Sequence, residues 1–277
     1  MEESLEDLVG RARDGDRPSL ERVVSAIQDR IYGLALRMLW HPEDARDATQ
    51  DILVRIVTHL GSFRGESSFS TWAHRVAANY LLSVRKSRLE RQGYTFRRFG
   101  EELDQGLSHP PAAPAAGDDA LLLEEVKLGC TLGMLTCLDR AHRLAYILGE
   151  ILEMEGDEAA RVLAIRPAAF RKRLSRAREA VVAFTRAKCG LVSPERPCRC
   201  HRRVAHAVRL GRVDPKHLLF AQDADHARRF PAVLAEIRRL EDVRRTAALF
   251  RSHPRFAAPA DFAAEVRKLV EAPRRGP

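Results

Sequence analysis

The segment from Asp44 to Lys86 limits the fold most tightly, because it reads as two amphipathic helices joined by one short loop. In its first half, apolar residues recur at helical spacing and form one stripe: Ala45, Ala48, Ile52, Ile56 and Leu60. In its second half, the stripe predicted to face inward is Trp72, Val76, Tyr80 and Val84, widened by Ala73, Ala77 and Leu81. Ser70 is the predicted N-cap of the second helix. The segment therefore predicts a small helical domain.

The loop between these helices combines aromatic rings, cations and small polar residues. Phe63 and Phe69 bracket the run Arg-Gly-Glu-Ser-Ser, and Arg75, Asn79 and Lys86 follow on the next helix. Rings and pocket walls can hold an unstacked base while cations hold the phosphates, so this composition suits single-stranded nucleic acid. The alternative is that Phe63, Phe69 and Trp72 are core residues, and the spacing alone leaves both interpretations open.

These residues resemble region two of the bacterial sigma factors, in the small extracytoplasmic-function branch. The resemblance covers roughly residues 5 to 90 and depends on DARDATQDILVRIVTHLGSF followed by FSTWAHRVAANYLLSVRK. It implies that the first helix docks on the clamp of the largest subunit of core RNA polymerase. It also implies that the loop and the second helix open the promoter and read its minus-ten element as a single strand.

The resemblance assigns two sets of residues to these roles. The expected minus-ten contacts are Phe63, Arg64, Ser67, Phe69, Ser70, Trp72, Arg75, Asn79 and Lys86. The expected polymerase contacts are Asp44, Asp47, Gln50, Asp51 and Arg55.

A second helical segment follows a low-complexity stretch. Residues 108–117 are rich in Pro and Ala and have no core-forming period, so residues 92–118 are predicted to be a flexible linker. Beyond it, residues 158–163 form a short helix, 164–167 a turn, and 168–182 a basic helix with Phe170, Leu174, Ala177 and Val181 on its apolar side. A short helix, a tight turn and a basic second helix is the layout that enters the major groove of DNA.

This segment resembles sigma region four, which reads the minus-thirty-five element. The recognition helix begins Ala168-Ala169, whose short side chains offer few contacts to bases, so base reading is expected from Arg171, Lys172 and Ser175. Arg166 and Arg176 are expected to hold phosphates. The resemblance further implies contact with the flap of the second-largest polymerase subunit and allows for an anti-sigma partner.

The positive charge of the chain lies in its last third. Residues 189–277 hold 19 of the 47 Lys and Arg residues and 10 of the 38 Asp and Glu residues, which accounts for the whole net charge of +9. Residues 1–188 are balanced, so any nucleic-acid contact there depends on locally placed cations. The positive charge of residues 189–277 is compatible with a tail that contacts polymerase or DNA, and equally with one that holds the DNA-binding domains inactive.

The tail opens with a cluster of thiols and one imidazole: Cys189, Cys198, Cys200 and His201. This set could bind zinc in a tetrahedral site, although it lacks the usual paired CxxC spacing. A redox-sensitive thiol cluster and ordinary structural cysteines are the two other interpretations.

The sequence thus predicts an all-α protein with two small helical domains, a flexible linker and a helical extension. The expected divisions are 1–91 for region two, 92–118 for the linker, 119–188 for the region-four helix-turn-helix and 189–277 for the extension. No apolar run reaches membrane-spanning length and the N-terminus is acidic, so a cytoplasmic protein is expected.

The leading functional hypothesis is a promoter-specificity subunit of RNA polymerase, which is not an enzyme and needs no cofactor. A stand-alone helix-turn-helix regulator would explain residues 119–188 but leaves the aromatic loop without a purpose. A small metalloenzyme built on the Cys/His cluster is the third hypothesis, and no carboxylate-histidine arrangement near those cysteines supports it.

Overall fold

The computed structural model describes residues 3–85, 88–91, 93–107, 119–259 and 262–271, and within these ranges it contains helices and no strand. The α-helices are α1 Leu5–Arg13, α2 Arg17–Leu39, α3 Pro42–Thr58, α4 Phe69–Ser83, α5 Arg88–Arg91, α6 Phe96–Leu107, α7 Asp119–Thr136, α8 Arg140–Tyr146, α9 Gly156–Val162, α10 Pro167–Lys188, α11 Cys200–Arg209, α12 Ala224–Arg239, α13 Asp242–Arg251 and α14 Phe262–Glu271. A 3₁₀ turn spans Leu60–Ser62 and a π-helical turn spans Ile147–Ile151. The all-α prediction is confirmed.

The chain divides into two compact units, each assembled from separate stretches of sequence. The first unit takes residues up to 85, residues 155–170 and residues from 255 onward, and the second takes residues 86–154 and 171–254. The expected domain boundaries do not follow this division, because α9 and the first turn of α10 belong to the first unit. A buried pair of alanines, Ala159 and Ala160, and a hydrogen bond to α4 hold them there.

Helices α1 to α4 form the core of the first unit. The predicted stripe of α3 is buried as expected, with Ala45, Ile52 and Ile56 at most 1% exposed. The run Asp14-Gly15-Asp16-Arg17-Pro18 predicts a break between two helices, and the structure has this break between α1 and α2. Asp16 caps α2 by accepting a hydrogen bond from the amide of Ser19 at 3.1 Å. Pro42 begins α3 two residues after Trp40, as the sequence predicts.

The buried face of α4 is rotated from the predicted one. Trp72, Val76 and Tyr80 are only half-buried. The buried residues are Phe69, Ala73, His74, Ala77, Ala78 and Leu81. Small residues let α4 approach its neighbours closely, and the large side chains take the edge of the interface. The part of the predicted stripe formed by Ala73, Ala77 and Leu81 is therefore confirmed, and the centre of the buried face lies about one position beyond Trp72, Val76 and Tyr80.

Helix α14 returns to the first unit and packs against α2 and α3. Phe262 is 1% exposed, and Arg267 forms an ion pair with Glu21 at 3.2 Å. Phe256 precedes α14 in the chain, and its ring centroid lies 4.9 Å from the guanidinium of Arg37 on α2. Burial lowers the pKa of Arg37 to about 10.

The second unit is organised around α7, which carries buried charges that bind loops. The carboxylate of Glu125 accepts hydrogen bonds from the amides of residues 219, 220 and 221 at 2.8–2.9 Å. Lys127 pairs with Glu124 at 2.7 Å and lies 3.5 Å from the ring centroid of Phe230. Arg143 on α8 donates to three backbone carbonyls at the end of α7 and beyond: those of Leu135, Thr136 and Leu138.

The linker prediction needs a correction for residues 96–107, which form α6. Phe99 and Leu103 are 5% exposed, and the ring of Phe99 stacks on Phe184 at 5.5 Å and 12°. Apolar residues at helical spacing (Phe96, Phe99 and Leu103) pack α6 within the second unit. The Pro- and Ala-rich residues 108–118 lie outside the described ranges.

Apolar residues at helical spacing predict one long helix from Phe230 to Phe250, with Leu240 and Val243 among those on its inner face, but the structure has two helices, α12 and α13. The side chain of Arg245 donates to the carbonyls of Leu240 and Arg238 and pairs with Asp242, which closes the end of α12. Leu240 and Val243, predicted to face inward, are 37% and 53% exposed as a result of this break. No helix in the described residues is both long enough and apolar enough to cross a membrane.

Candidate nucleic-acid interface

One face of α3 presents an exposed row of polar side chains. Asp44, Asp47, Asp51 and Arg55 are exposed and Gln50 is half-buried, so the five predicted polymerase contacts lie on the side opposite the core. Two of them are fixed by α4, because the hydroxyl of Tyr80 donates to Asp51 at 2.6 Å and Arg55 lies 4.9 Å from the Tyr80 ring centroid. Burial, then the bond to Asp51, raises the pKa of Tyr80 to about 12.

The loop from residue 62 to 68 is held by its two ends. Gly65 at its centre has a φ of +74°, a conformation that glycine adopts without steric cost. Ser68, not Ser70 as predicted, is the N-cap of α4, since its Oγ accepts a hydrogen bond from the amide of Thr71 at 3.2 Å. The helix begins two residues earlier than expected, at Phe69, which is already part of the buried face.

Three rings form a cluster beneath this loop. Phe63, Phe69 and Trp72 lie 5.5–5.6 Å from one another between centroids. Phe69 is fully buried and Phe63 is 7% exposed, so the structure favours the core interpretation for these two residues, and Phe69 has no surface for a base. Trp72 is half-buried and offers part of its ring to the exterior.

The polar minus-ten candidates surround the open side of Trp72. Arg64, Arg75 and Asn79 are exposed, Ser67 and Ser70 are half-buried, and Lys86 lies outside the described residues. The backbone carbonyl of Ser70 accepts a hydrogen bond from Nδ1 of His74 at 2.7 Å.

A cleft of about 680 Å³ separates this loop from the turn between α9 and α10. Phe63, Arg64, Trp72 and Arg75 line one side, and Arg161, Ile165, Arg166 and Pro167 line the other. Thr71, which also lines the cleft, donates through its hydroxyl to Glu158 on α9 at 2.6 Å. Local sequence pattern does not identify Thr71, Glu158 or Arg161 as site residues, because the contact between Thr71 and Glu158 spans 87 positions in the chain.

The helix-turn-helix turn is tight. The amide of Ile165 donates to the carbonyl of Ala160 at 3.0 Å, and Ala164 has a φ of +51°. On α10, Phe170, Ala177 and Val181 are at most 1% exposed, which confirms most of its predicted apolar side. Arg171, Lys172, Ser175 and Arg176 are exposed on the opposite side, and Ser175 donates to Glu179 at 2.9 Å.

Four cysteines approach one another in the second unit. Cys130 on α7 lies within electrostatic range of Cys189, Cys198 and Cys200, while His201 is exposed. The amide of Gly190 donates to the carbonyl of Cys198 at 3.1 Å and pairs the two backbones. Within the described ranges, no three His, Cys, Asp or Glu side chains converge as a metal site.

Burial raises the pKa of each of these four thiols, to about 11 for Cys198. A protonated thiol is a poor nucleophile, so the environment also opposes a redox sensor. Cys189 and Cys200 are half-buried against Leu191, Val192 and Leu249, which fits the third interpretation, in which the cysteines pack as small apolar side chains.

Comparison with known proteins gives a match to the family model Sigma-70 region 2 over residues 23–90. The chain is 35% identical over 78 residues to RNA polymerase sigma-H factor of Pseudomonas aeruginosa, which covers 28% of this chain and 40% of that protein. It is 27% identical over 183 residues to ECF RNA polymerase sigma factor SigW of Bacillus subtilis, which covers 65% of this chain and 96% of SigW. The chain thus spans less than half of the first relative and nearly all of the second.

A solved structure of CnrH in complex with the cytosolic domain of CnrY is also similar. It is 24% identical, covers 65% of this chain and 96% of that one, and has a TM-score of 0.46.

Proposed function

We propose that the chain, which is similar over 65% of its length to an extracytoplasmic-function sigma factor, binds core RNA polymerase and directs initiation at specific promoters. The observation that carries this proposal is the region 2 match at residues 23–90, which falls on the helices that present the polar face of α3 and the loop before α4. The protein supplies binding and strand capture, and core polymerase supplies the chemistry.

In this proposal the minus-ten element is read at the loop. A base leaving the duplex meets the open part of the Trp72 ring, while Phe63 and Phe69 support that ring from below. Arg64 and Arg75 are exposed beside it and hold phosphates, and Ser67 and Asn79 offer hydrogen bonds. Stacking contributes about 1–3 kcal/mol per captured base, which offsets part of the cost of opening the duplex.

The polymerase contact is assigned to the exposed face of α3. Three carboxylates, those of Asp44, Asp47 and Asp51, give it negative charge, and the bond from Tyr80 holds Asp51 in one orientation. A preorganised acidic face suits a basic helical partner such as the clamp of the largest subunit.

The minus-thirty-five contact is assigned to α10. Arg171, Lys172 and Ser175 share one exposed side and read base edges in the major groove, while Arg176 and Arg166 bind phosphates. The helix-turn-helix also contacts the polymerase flap, and an anti-sigma protein would act by covering these same surfaces. A stand-alone regulator remains a weaker candidate, because it gives residues 23–90 no role.

Run-off transcription with bacterial core polymerase tests the proposal. The full chain is compared with Arg64→Gln/Arg75→Gln and with a control, Arg13→Gln/Arg17→Gln, which removes the same charge from two other exposed positions that do not line the cleft beside the loop. Promoters are first found by sequencing transcripts that the protein induces. We expect initiation with the full chain and the control, and at least a tenfold loss with the loop variant.

Two results would contradict the proposal. If the full chain directs no initiation at any induced promoter, it is not a specificity subunit. If both double variants lose activity equally, the effect is one of general charge and the assignment of the loop is wrong.

A further inference from the structure

The cleft beside the loop has more positive charge than the protein neutralises. Arg64 and Arg75 on one side and Arg161 and Arg166 on the other face a space lined by a single carboxylate, that of Glu66. Among the described residues, none of these four guanidinium groups has a hydrogen bond or an ion pair to a protein acceptor. Four like charges around one space repel one another unless an anion enters it.

The same cleft offers a surface for a planar group. The half-buried ring of Trp72 lines it, backed by Phe63 at 5.6 Å and 52° and by Phe69 at 5.6 Å and 30°. A ring held in one orientation by two others stacks on a base with little loss of conformational entropy. Guanidinium groups, in turn, bind phosphate oxygens with paired N–H donors.

We propose that this cleft binds a free nucleoside polyphosphate, with its base on Trp72 and its phosphates between the two pairs of arginines. The volume of about 680 Å³ is that of an ordinary ligand pocket, which runs from about 300 to 1,000 Å³. The number of charges favours a polyphosphate over a single phosphodiester, because four guanidinium groups exceed the need of one phosphate. The ligand joins the loop to the α9–α10 turn.

Promoter DNA does not fit this form of the cleft. Arg166, a proposed minus-thirty-five contact, lines the same space as the minus-ten loop. The two promoter elements are centred about 25 base pairs apart, which is on the order of 85 Å of B-DNA at about 3.4 Å per pair. A nucleotide that bridges both walls therefore holds the protein in a form that cannot contact both elements. This consequence, unlike the binding itself, rests on the proposed function.

Isothermal titration calorimetry with the full chain, in the absence of polymerase, tests the binding. The probes are ATP, GTP, inorganic tripolyphosphate and a short oligothymidylate. The variants are Arg161→Gln/Arg166→Gln, Trp72→Leu and the control Arg13→Gln/Arg17→Gln. Circular dichroism and thermal melting establish that each variant is folded.

We expect ATP or GTP to bind saturably at sub-millimolar concentration. The Arg161→Gln/Arg166→Gln variant should bind it at least tenfold more weakly, and the control should bind it as the unchanged protein does. Trp72→Leu should weaken the nucleotide but not tripolyphosphate, because only the nucleotide has a base.

Three outcomes overturn the proposal. The first is the absence of saturable binding of either nucleotide at concentrations up to about 1 mM. The second is an equal loss with the control variant. The third is that Arg161→Gln/Arg166→Gln weakens the oligothymidylate but neither nucleotide, which would assign the cleft to nucleic acid alone. Because run-off transcription is a separate measurement, failure here leaves the proposed function standing.

Discussion

At the scale of single residues, the loop before α4 depends on one backbone conformation. Gly65 has a φ of +74°, while a methyl group added at this position would meet no atom within 4 Å. A side chain at this position would therefore cost free energy through its backbone conformation, and not through contacts with neighbouring atoms. Gly61, four residues earlier, has the same open space and no positive φ.

We expect Gly65→Ala to lower the free energy of unfolding by about 1–2 kcal/mol, the cost of the left-handed conformation for a residue with a Cβ. Gly61→Ala is the matched control and should leave stability within about 0.5 kcal/mol of the unchanged protein. Urea denaturation followed by circular dichroism measures both. Equal effects from the two variants would mean that the backbone of the loop is not strained.

The thiols of the second unit give a prediction in pH. Burial raises the pKa of Cys198 to about 11, above the ordinary value of 9.0, so the fold stabilises its protonated form. That contribution is complete below pH 9 and is lost as pH rises towards 11. The alkylation rate of Cys198, followed by mass spectrometry, should reach half its maximum near pH 11 in the native protein and near pH 9 in urea. A half-maximum near pH 9 in both states would contradict the buried environment.

At the scale of elements, the helices with strong periodic patterns were predictable and their partners were not. Helices α3 and α10 bury most of the residues that their spacing indicates, because an amphipathic helix needs only some apolar surface to cover it. Helix α4 was rotated because its closest contacts use Ala73 and Ala77, whose small side chains carry a weak hydrophobic signal. Packing distance, not hydrophobicity, determines that face.

The secondary-structure predictions for α6 and for α12 and α13 were wrong for two different physical reasons. The helix of residues 96–107 lies beside the Pro- and Ala-rich stretch and was grouped with it on composition. The break at Leu240 depends on the side chain of Arg245, which binds two carbonyls at the end of α12. A side chain that ends a preceding helix leaves no periodic pattern, so the sequence predicted one long helix.

The candidate site shows the same limit. The loop residues and the exposed side of α10 were predictable from local pattern, while Thr71, Glu158 and Arg161 were not. Their roles come from the packing of α9 on α4, which joins parts of the chain 87 positions apart. Nothing in a local window of sequence records such a contact.

At the scale of the whole molecule, the C-terminal extension is structurally tied to both units. Residues 189–254 belong to the second unit and residues from 255 onward to the first. A chain that ends at Lys188 would therefore lose α14 as well as α11 to α13. Such a truncation changes the stability of the first unit and tests more than regulation.

A chain that ends at Pro254 isolates the contribution of α14. It loses Phe256 and Phe262, which are 8% and 1% exposed, and the ion pair to Glu21. We expect Phe262→Ala alone to lower stability by about 3–5 kcal/mol, and the truncation by more. A chain that ends at Glu271 keeps the helix and serves as the control. Thermal melts that coincide for the two truncations would show that α14 adds nothing to the first unit.

The order of segments in the first unit has a consequence during synthesis on the ribosome. Residues 85 and 255 of this unit are separated by 170 positions. Leu39 at the end of α2 and Phe262 at the start of α14 are 223 positions apart. At about 5–20 residues per second, the nascent chain therefore exposes the surface of α2 that α14 covers for roughly 10–45 s before α14 is made. The unit that carries the loop before α4 is thus completed only once α14 has been made. A messenger broken before that point yields a protein with its loop but without the helix that covers α2.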